Sequence, residues 1–558
     1  MTRRPVLAAG ATALAALIAV GCTGRPTATA PATATPAEDR DSPASGLHAF
    51  GPPVTIDPTA SSLSWRPCAT TGGSTLALPR PVRPGRPPSP SPTPTPPASP
   101  TPSPNPASRA ECATLTVPLD HDDPGGQTID LALIRIPATR PDQRLGSLLF
   151  NFGGPGGSGV DILPKAARDY AALNTRYDLV SFDPRGVGRS APVTCLTDRQ
   201  LDAAHQADDS PDDEREKADY VAGQERYIRA CRTRTGPVLT RVGTAAAAAD
   251  MDLIRAALGE DRLNYFGISY GTLLGAVYAH RFPDRVGRMV LDSAVHPRLS
   301  ALRLNLEQAA GFQLALRRYA AQCAELGPRD CPPSAGGKDA DAIVAGIRAL
   351  IDRLDTRPLD TSKGRRLSQS LAVTGVAAAL YSRQFWPLLT RALTMAEQGD
   401  GTGLLILADA QNGRDEDGSY SNLSAANTAI SCGDDPRRYT RRDVEAALPR
   451  FKEASPIFGP PFAWSLLRCT GWPATDTPST VDVSAPTAGP ILVLGTTGDP
   501  ATPYPWASAL ARELGSGVLI TLEGDGHGAY NTLNPCIQKL VDGYLLEGEV
   551  PDSGTRCT

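Results

Sequence analysis

The sequence predicts an α/β fold, a mostly parallel β-sheet with helices on both faces, interrupted by one large and mainly helical insertion. A series of short apolar runs has the length and composition of buried parallel strands. Segments of helical composition alternate with these runs, as in strand-helix-strand units. Nearly two hundred residues, largely helix-like, separate the run that ends near Asp292 from the next one at Ile491. An insertion of this size at one point of a sheet is typical of a lid over a binding cleft.

The elements follow in order along the chain. Runs 112–117 and 129–136 predict a hairpin around the turn signal Asp122-Asp123-Pro124-Gly125-Gly126. Residues 245–258 predict a helix with Thr244 as its N-cap and Gly259 as its stop. Further helices are predicted at 272–281, 302–326 and 340–354, and further strands at 147–152, 177–182, 263–267, 286–291, 491–494 and 518–522, the last of the sheet.

The first 22 residues have the features of an export signal. Arg3 and Arg4 precede an apolar run that is shorter than the ~20 residues of a membrane-spanning helix. The run ends in Ala19-Val20-Gly21-Cys22, which resembles the lipobox of bacterial lipoproteins and implies that Cys22 is acylated. We therefore expect a lipoprotein on the outer side of the cell membrane, with simple secretion as the alternative. The arginine pair leaves the general and the twin-arginine export routes both open.

Composition divides the rest of the chain. Residues 23 to about 45 hold almost no large apolar side chains, and we predict a disordered tether over 23–64. Residues 65–111 form an N-terminal extension whose Ser-Pro and Thr-Pro repeats, at 81–106, predict a polyproline-like loop. The two parts of the sheet domain are 112–292 and 489–558, on either side of the insertion 293–488.

Charge and cysteine content narrow the function. A formal net charge of −4 provides no basic surface for nucleic acid. Setting Cys22 aside leaves ten of the 11 cysteines, an even number in an exported chain, which predicts five disulfides. Connectivity stays open among roughly 900 pairings. Our hypothesis is pairing in chain order, which keeps every bridge local: 68 with 112, 195 with 231, 323 with 331, 432 with 469, and 536 with 557. The absence of a C-x-x-C motif or paired histidines predicts no metal site, and we expect no cofactor and a monomer.

Ser269 is the predicted nucleophile. It is the centre of Gly267-Ile268-Ser269-Tyr270-Gly271, which follows a predicted strand and opens a predicted helix. This is the strand-turn-helix context of the nucleophile elbow of α/β-hydrolases, in which the glycines allow the two backbones to approach closely. Outside that context the serine would be an ordinary turn residue.

A serine hydroxyl needs a base, and in this fold the acid and then the histidine follow the serine in the chain. His527, on a glycine-rich loop after the last predicted strand, is the predicted base. Asp499 is the predicted acid that orients it, with Asp525 as the alternative acid. Asp292 with His296 is the rival pair that also keeps the chain order.

Asn151-Phe152-Gly153-Gly154-Pro155-Gly156-Gly157 follows an early strand, where this fold places one oxyanion donor. We predict that the N–H groups of Gly154 and Tyr270 bind the oxyanion. Phosphate binding by this glycine loop is disfavoured, since no Lys-Ser/Thr follows the glycines.

Four segments together resemble the secreted tripeptidyl aminopeptidases of actinobacteria, which are relatives of prolyl aminopeptidase. They are Gly153-Gly154-Pro155-Gly156, the run from Asp183 to Ser190, Gly267 to Thr272, and Gly498-Asp499-Pro500 with the loop of His527. The resemblance covers about Trp65 to the C-terminus and includes the cysteine pattern. It implies an α/β-hydrolase that acts as an exopeptidase on peptide N-termini. The chain departs from prolyl aminopeptidases at Asn151-Phe152, where they carry a histidine, so a preference for proline stays open.

An aminopeptidase must also bind the ammonium of its peptide substrate, which calls for a carboxylate on the insertion or its border. Asp434 and Asp435 are the predicted substrate-binding residues, and the alternative is a solvated turn. A lipase or carboxylesterase is the alternative function, because the triad does not distinguish amides from esters. A catalytically idle binding protein is the third hypothesis.

Overall fold

The computed structural model describes residues 63–68, 106–337, 339–474 and 482–558. The predicted signal segment with Cys22, nearly all of the tether and nearly all of the Pro-rich loop lie outside the described residues.

A ten-stranded sheet forms the centre of the molecule. Its spatial order is β1-β2-β3-β5-β4-β6-β7-β8-β9-β10. The strands are β1 (Arg66–Pro67), β2 (Glu111–Pro118), β3 (Thr128–Ile136), β4 (Gly146–Asn151), β5 (Tyr177–Phe182), β6 (Leu263–Ile268), β7 (Val286–Asp292), β8 (Ile491–Gly498), β9 (Gly517–Asp525) and β10 (Thr555–Cys557). The hairpin β2-β3 is antiparallel to its neighbours, and all pairs from β4 and β5 to β10 are parallel. The predicted mostly parallel sheet is confirmed.

Fifteen α-helices accompany the sheet in the described part of the chain. They are α1 (Gly159–Ala166), α2 (Asp198–Gln206), α3 (Glu214–Thr235), α4 (Thr244–Ala257), α5 (Tyr270–Arg281), α6 (Ala301–Asp330), α7 (Ala340–Thr356), α8 (Gln369–Leu380), α9 (Trp386–Glu397), α10 (Thr402–Gln411), α11 (Leu423–Asp434), α12 (Arg441–Ala454), α13 (Gly459–Trp464), α14 (Pro505–Leu514) and α15 (Pro535–Asp542). The described part contains no helix long and apolar enough to cross a membrane.

Both faces of the sheet are buried, as the uninterrupted apolar strands require. In β4, Leu148 and Phe150 point into one core together with α1 and α15, whereas Leu149 points into the other core with α4, α5 and α14. This alternation along one strand places helices on both faces of the sheet, as predicted.

The insertion between β7 and β8 has its own cores. Helices α6 to α10 enclose one apolar cluster, and α12 with α13 forms a second around the buried Trp464. Helices α2 and α3, which precede the insertion in the chain, also contact it: the Tyr220 ring lies edge-on to Trp464, with ring centroids 5.6 Å apart. This contact was not expected, because its two partners are far apart in the sequence.

Two local predictions are wrong. Gly243, not Thr244, is the N-cap of α4, and no side chain of its own caps this helix. Instead, Asp434 of the insertion accepts the Thr244 N–H at 2.8 Å. A carboxylate that is distant in the sequence therefore caps the helix. The second wrong prediction is that the strand at 518–522 is the last of the sheet. It is followed by β10, which pairs with β9 and is held by the disulfide between Cys536 and Cys557.

All five hypothesised disulfides are present in the structure. They join Cys68 to Cys112, Cys195 to Cys231, Cys323 to Cys331, Cys432 to Cys469, and Cys536 to Cys557. Each closes a loop of at most 44 residues, in accordance with the hypothesis of local bridges. The first one joins Cys68, directly after β1, to Cys112 in β2.

Candidate active site

Ser269 lies in the tight turn between β6 and α5. Its φ and ψ are +58° and −124°, a backbone conformation that is strained for a residue with a side chain. The flanking glycines make this turn possible, since a Cβ atom on Gly271 would lie 2.6 Å from the carbonyl oxygen of Asn151. The Ser269 N–H donates to the Asp292 carbonyl at 2.9 Å, which fixes the turn to the end of β7. These are the features of a nucleophile elbow.

His527 is paired with Asp499. Its Nδ1 lies 2.9 Å from both carboxylate oxygens of Asp499, whose side chain is completely buried. Oδ1 of Asp499 also accepts the N–H groups of Ala501 and Thr502 at 2.9 Å, and Oδ2 accepts the Thr502 hydroxyl at 2.8 Å. Burial lowers the pKa of His527, but the adjacent carboxylate more than offsets it, and the net pKa is raised above its ordinary value.

The alternative acids have other partners. Asp525 binds Arg318 at 2.5 Å. The carboxylate of Asp292 is buried and accepts the N–H groups of Ala529 and Tyr530 at 2.8 and 2.9 Å. Burial raises the pKa of Asp292 to about 6. Asp292 thus supports the loop that carries His527 and does not bind His296, whose Nδ1 lies 3.7 Å from Glu513.

The glycine loop after β4 lies against the elbow. Gly153 and Gly154 have φ values of +84° and +111°. A Cβ atom on Gly153 would lie 2.5 Å from the Ile268 carbonyl oxygen and 2.9 Å from Cβ of Ser269. Gly153 therefore packs directly against the serine, and the predicted donor Gly154 is the next residue. Tyr270 is the first residue of α5, so its N–H has no acceptor within the helix.

A cleft of about 2520 Å³ opens between the sheet and the insertion. Ser269, His527, Thr502 and the glycine loop line one region of it. Residues of helices α6, α8 and α11 of the insertion also line the cleft. The volume is far larger than a single amino acid needs.

The insertion also contacts the loops that carry the acid and the histidine. The N–H of His527 donates to the Tyr381 carbonyl at 2.8 Å, and the two rings meet edge to face. The side-chain amide of Gln308 donates to the Ala501 carbonyl at 2.7 Å, beside Asp499. The insertion is therefore part of the structure that positions these residues as well as a cover for the cleft.

The two carboxylates predicted to bind substrate are already hydrogen bonded. Asp434 accepts the N–H and the hydroxyl of Thr244 at 2.8 and 2.5 Å, and burial raises its pKa to about 6. Asp435 accepts the Arg437 N–H at 2.9 Å, and the Arg437 guanidinium lies 3.8 Å from it. Both line the cleft, but neither is without partners.

Reasoning from sequence missed three groups near the site. Thr502, three residues after Asp499, could have been found as a hydroxyl that bonds a preceding aspartate in a turn. The hydrogen bonds that Asp292 accepts from the loop of His527 were not predictable, because no local sequence pattern indicates them. Asp169, after α1, lines the cleft, and its carboxylate has no hydrogen-bond or ion-pair partner among the described residues. Burial raises the pKa of Asp169 to about 6.

Comparisons with known proteins agree with this architecture. The model of the family described as TAP-like protein matches residues 455–557. The serine protease Hip1 of Mycobacterium tuberculosis is 39% identical over 468 residues, which are 80% of this chain and 87% of that protein. Carboxylesterase B of the same organism is 40% identical over 458 residues, 80% of this chain and 86% of that protein. The tripeptidyl aminopeptidase of Streptomyces lividans is 34% identical over 461 residues, 80% of this chain and 83% of that protein.

Proposed function

Because this chain belongs to the family of TAP-like α/β-hydrolases that contains serine protease Hip1 and the tripeptidyl aminopeptidases, we propose that it is a serine exopeptidase that cleaves peptides near their N-termini. The observation that carries the proposal is the elbow of Ser269 in one cleft with the His527-Asp499 pair. The family resemblance inferred from the sequence motifs is confirmed by these relatives.

The proposed chemistry is acyl transfer. His527 takes the proton of the Ser269 hydroxyl as the oxygen attacks the scissile peptide carbonyl. Asp499, which holds Nδ1–H, keeps the imidazole in the tautomer whose Nε2 is free to act as the base, and it stabilises the imidazolium that forms. The N–H groups of Tyr270 and of the glycine loop at Gly154 bind the developing oxyanion. His527 then protonates the leaving amine, and water hydrolyses the acyl-enzyme by the reverse sequence.

Cleavage near a free N-terminus calls for an anionic group that binds the substrate ammonium. Asp434 and Asp435 are the groups proposed from the sequence, and the bonds they already make reduce what each can offer to an ammonium. Asp169 is the stronger proposal, since its half-buried carboxylate lines the cleft without a counter-ion among the described residues. A substrate ammonium would favour its ionised form and compensate for its burial.

Ester hydrolysis is the alternative, favoured by the 40% identity to a protein named carboxylesterase B. The discriminating experiment compares three substrate classes: tripeptidyl arylamides with a free N-terminus, the same peptides with an acetylated N-terminus, and acyl esters of several chain lengths. Turnover of the free peptides, with little turnover of the acetylated ones, is expected. Hydrolysis of esters alone would refute the peptidase proposal.

Ser269→Ala is the control for every substrate. A fluorophosphonate probe is expected to label the wild-type protein at Ser269 and to leave the variant unlabelled. Absence of labelling in a folded wild-type protein would favour the idle binding protein. A peptide library with mass-spectrometric readout would then give the number of residues released and the preferred sequence.

We also propose that the protein is an exported lipoprotein, anchored to the outer side of the cell membrane through Cys22 and active as a monomer. The support is the sequence Ala19-Val20-Gly21-Cys22 after an apolar run. In cells, Cys22→Ser is expected to abolish incorporation of a palmitate analogue and to move the protein from the membrane fraction to the medium.

A further inference from the structure

Helix α11 of the insertion contacts the core at the two places where the proposed oxyanion donors lie. Its first half packs against the glycine loop that contains Gly154, and its last residue is bonded to a chain of hydroxyls that ends on the side chain of Tyr270. No other described helix of the insertion is shown to contact both donor segments. One rigid element outside the core therefore contacts both sides of the proposed oxyanion hole.

The first contact is tight and polar. A Cβ atom on Gly156 would lie 2.8 Å from the Leu423 carbonyl oxygen and 3.1 Å from Cβ of Ala426, so helix and loop meet backbone to backbone. The side-chain amide of Asn427 donates to the Pro155 carbonyl at 3.1 Å. Arg468 donates to the amide oxygen of Asn427 at 3.3 Å, which orients the amide nitrogen toward the loop.

The second contact runs through Thr244. Asp434 accepts the Thr244 N–H and hydroxyl. Because the Thr244 proton is given to Asp434, the Tyr270 hydroxyl, 2.6 Å away, donates to the Thr244 oxygen. The Tyr270 ring is buried, so this bond fixes the first residue of α5 and with it the direction of its N–H.

A covalent bond holds α11 in place. Cys432, two residues before Asp434, is joined to Cys469, which follows Arg468 in the chain. The disulfide and the bond from Arg468 to Asn427 therefore connect α11 to the same short segment. Such support is what preorganised donors need, because a displacement of 1 Å at a reacting group can cost about 10²-fold in rate.

We propose that Asn427 and Asp434 are positioning residues of the insertion that hold the two oxyanion donors of the core in register with Ser269. The proposal rests on the proposed acyl-transfer function. It applies equally to an amide or an ester, since the same oxyanion forms from both. For Asp434 it replaces contact with the substrate ammonium by a role in transition-state binding.

The expected effect lies in kcat. Removal of one oxyanion donor costs about 10² to 10³ in rate, and loss of its support should cost a part of that. We expect Asn427→Ala and Asp434→Ala to lower kcat by about 10- to 100-fold, with KM changed less than about threefold. Asp434→Asn keeps one acceptor for Thr244 and should retain more activity than Asp434→Ala.

Two inhibitors of the same sequence separate positioning from general damage. A peptide aldehyde forms a hemiacetal with Ser269 whose oxygen occupies the oxyanion hole, and the matching peptide alcohol binds without an oxyanion. The aldehyde Ki should rise in proportion to the loss of kcat, and the alcohol Ki should stay constant. Asn264→Ala is the control, because it also removes a hydrogen bond from a side-chain amide to a backbone carbonyl, that of Ser147, at 3.3 Å, together with the acceptor of the Arg288 N–H at 3.0 Å. Asn264 is near the start of β6, at the opposite end of the strand from the elbow. This substitution should lower the Tm but leave both inhibitor constants unchanged.

The proposal is overturned if the variants keep wild-type kcat, or if aldehyde and alcohol lose affinity equally. If Asp434→Ala does not fold, Tyr270→Phe removes the far end of the same chain, leaves the N–H donor in place, and must give the same pattern. Failure of the proposed peptidase function appears separately, as a wild-type enzyme that turns over only esters. The positioning proposal is then tested on the esters.

Discussion

Replacing Asp499 by asparagine should abolish catalysis while leaving the shape of the site intact. Oδ1 of Asp499 accepts the N–H groups of Ala501 and Thr502, both at 2.9 Å. The carboxamide oxygen of the variant must take that position, since an NH₂ group there would face two donors. The NH₂ group is therefore forced into the Oδ2 position. Both positions lie 2.9 Å from Nδ1 of His527, but the carboxamide oxygen at Oδ1 already accepts two N–H groups, which leaves the NH₂ group as the partner of Nδ1.

An NH₂ group at that position donates to Nδ1, so the proton of a neutral imidazole moves to Nε2. His527 then cannot accept the proton of Ser269. A wrong tautomer of this kind costs about 10⁴ in kcat, or about 5.4 kcal/mol of transition-state stabilisation. We expect that loss in kcat for Asp499→Asn with a tripeptidyl arylamide, with KM nearly unchanged and fluorophosphonate labelling slowed in proportion.

Asp525→Asn is the matched control, because Asp525 was the alternative acid predicted from the sequence. It loses an ion pair with the half-exposed Arg318, which should cost about 1 kcal/mol of stability at most. Its kcat should stay within about threefold of wild type. If Asp525→Asn is the inactive variant, or if Asp499→Asn keeps more than about a tenth of the activity, the assignment of the acid is wrong.

Three other predictions follow from the geometry. The acid limb of kcat/KM should lie above pH 6.5, because only neutral His527 is a base and its pKa is raised; a pH-rate profile with the limb at or below that value would contradict it. Asp169→Asn should raise KM about tenfold for free tripeptidyl arylamides and leave that for acetylated ones unchanged, and an equal change for both would remove Asp169 from ammonium binding. Replacing both Cys68 and Cys112 by serine should lower the free energy of unfolding by about 4 kcal/mol on the chain-entropy model, measured by urea denaturation, and an unchanged midpoint would show that this bridge does not constrain the unfolded chain.

The insertion changes how the elbow of Ser269 is understood. The sequence predicts that the insertion is a lid, separate from the catalytic residues of the sheet domain. In the structure it bonds the histidine loop through Tyr381, the acid loop through Gln308 and the glycine loop through Asn427. These are backbone and amide contacts, which hold positions without taking part in proton transfer. Activity is therefore expected to be lost with the insertion, and not merely altered in specificity.

The sequence by itself determined the strands of the sheet and the turn or loop in which each predicted catalytic residue lies. Apolar runs such as 147–152 and 177–182 are stable as strands only when both of their faces are buried between two layers of helices. β4 and β5 were therefore predictable. The elbow was predictable because Gly267 and Gly271 are needed at one local turn, and the order of Ser269, Asp499 and His527 follows from the fold. The disulfides were predictable to the extent that local pairing is the simplest choice.

Only the tertiary structure decided which hydrogen-bond partner each carboxylate near the site has. Asp499 and Asp525 both precede His527 in the chain, but in the structure Asp499 is bonded to His527 and Asp525 to Arg318. Thr244 was predicted to cap its own helix, but a carboxylate 190 residues away supplies the acceptor. Asp434 was predicted to bind substrate, and in the structure it accepts hydrogen bonds from Thr244, whose hydroxyl is bonded to that of Tyr270. The physical reason is the same in each case: local propensity acts within a few residues, whereas a carboxylate bonds whichever donor the folded chain brings within 3 Å, and that is set by packing.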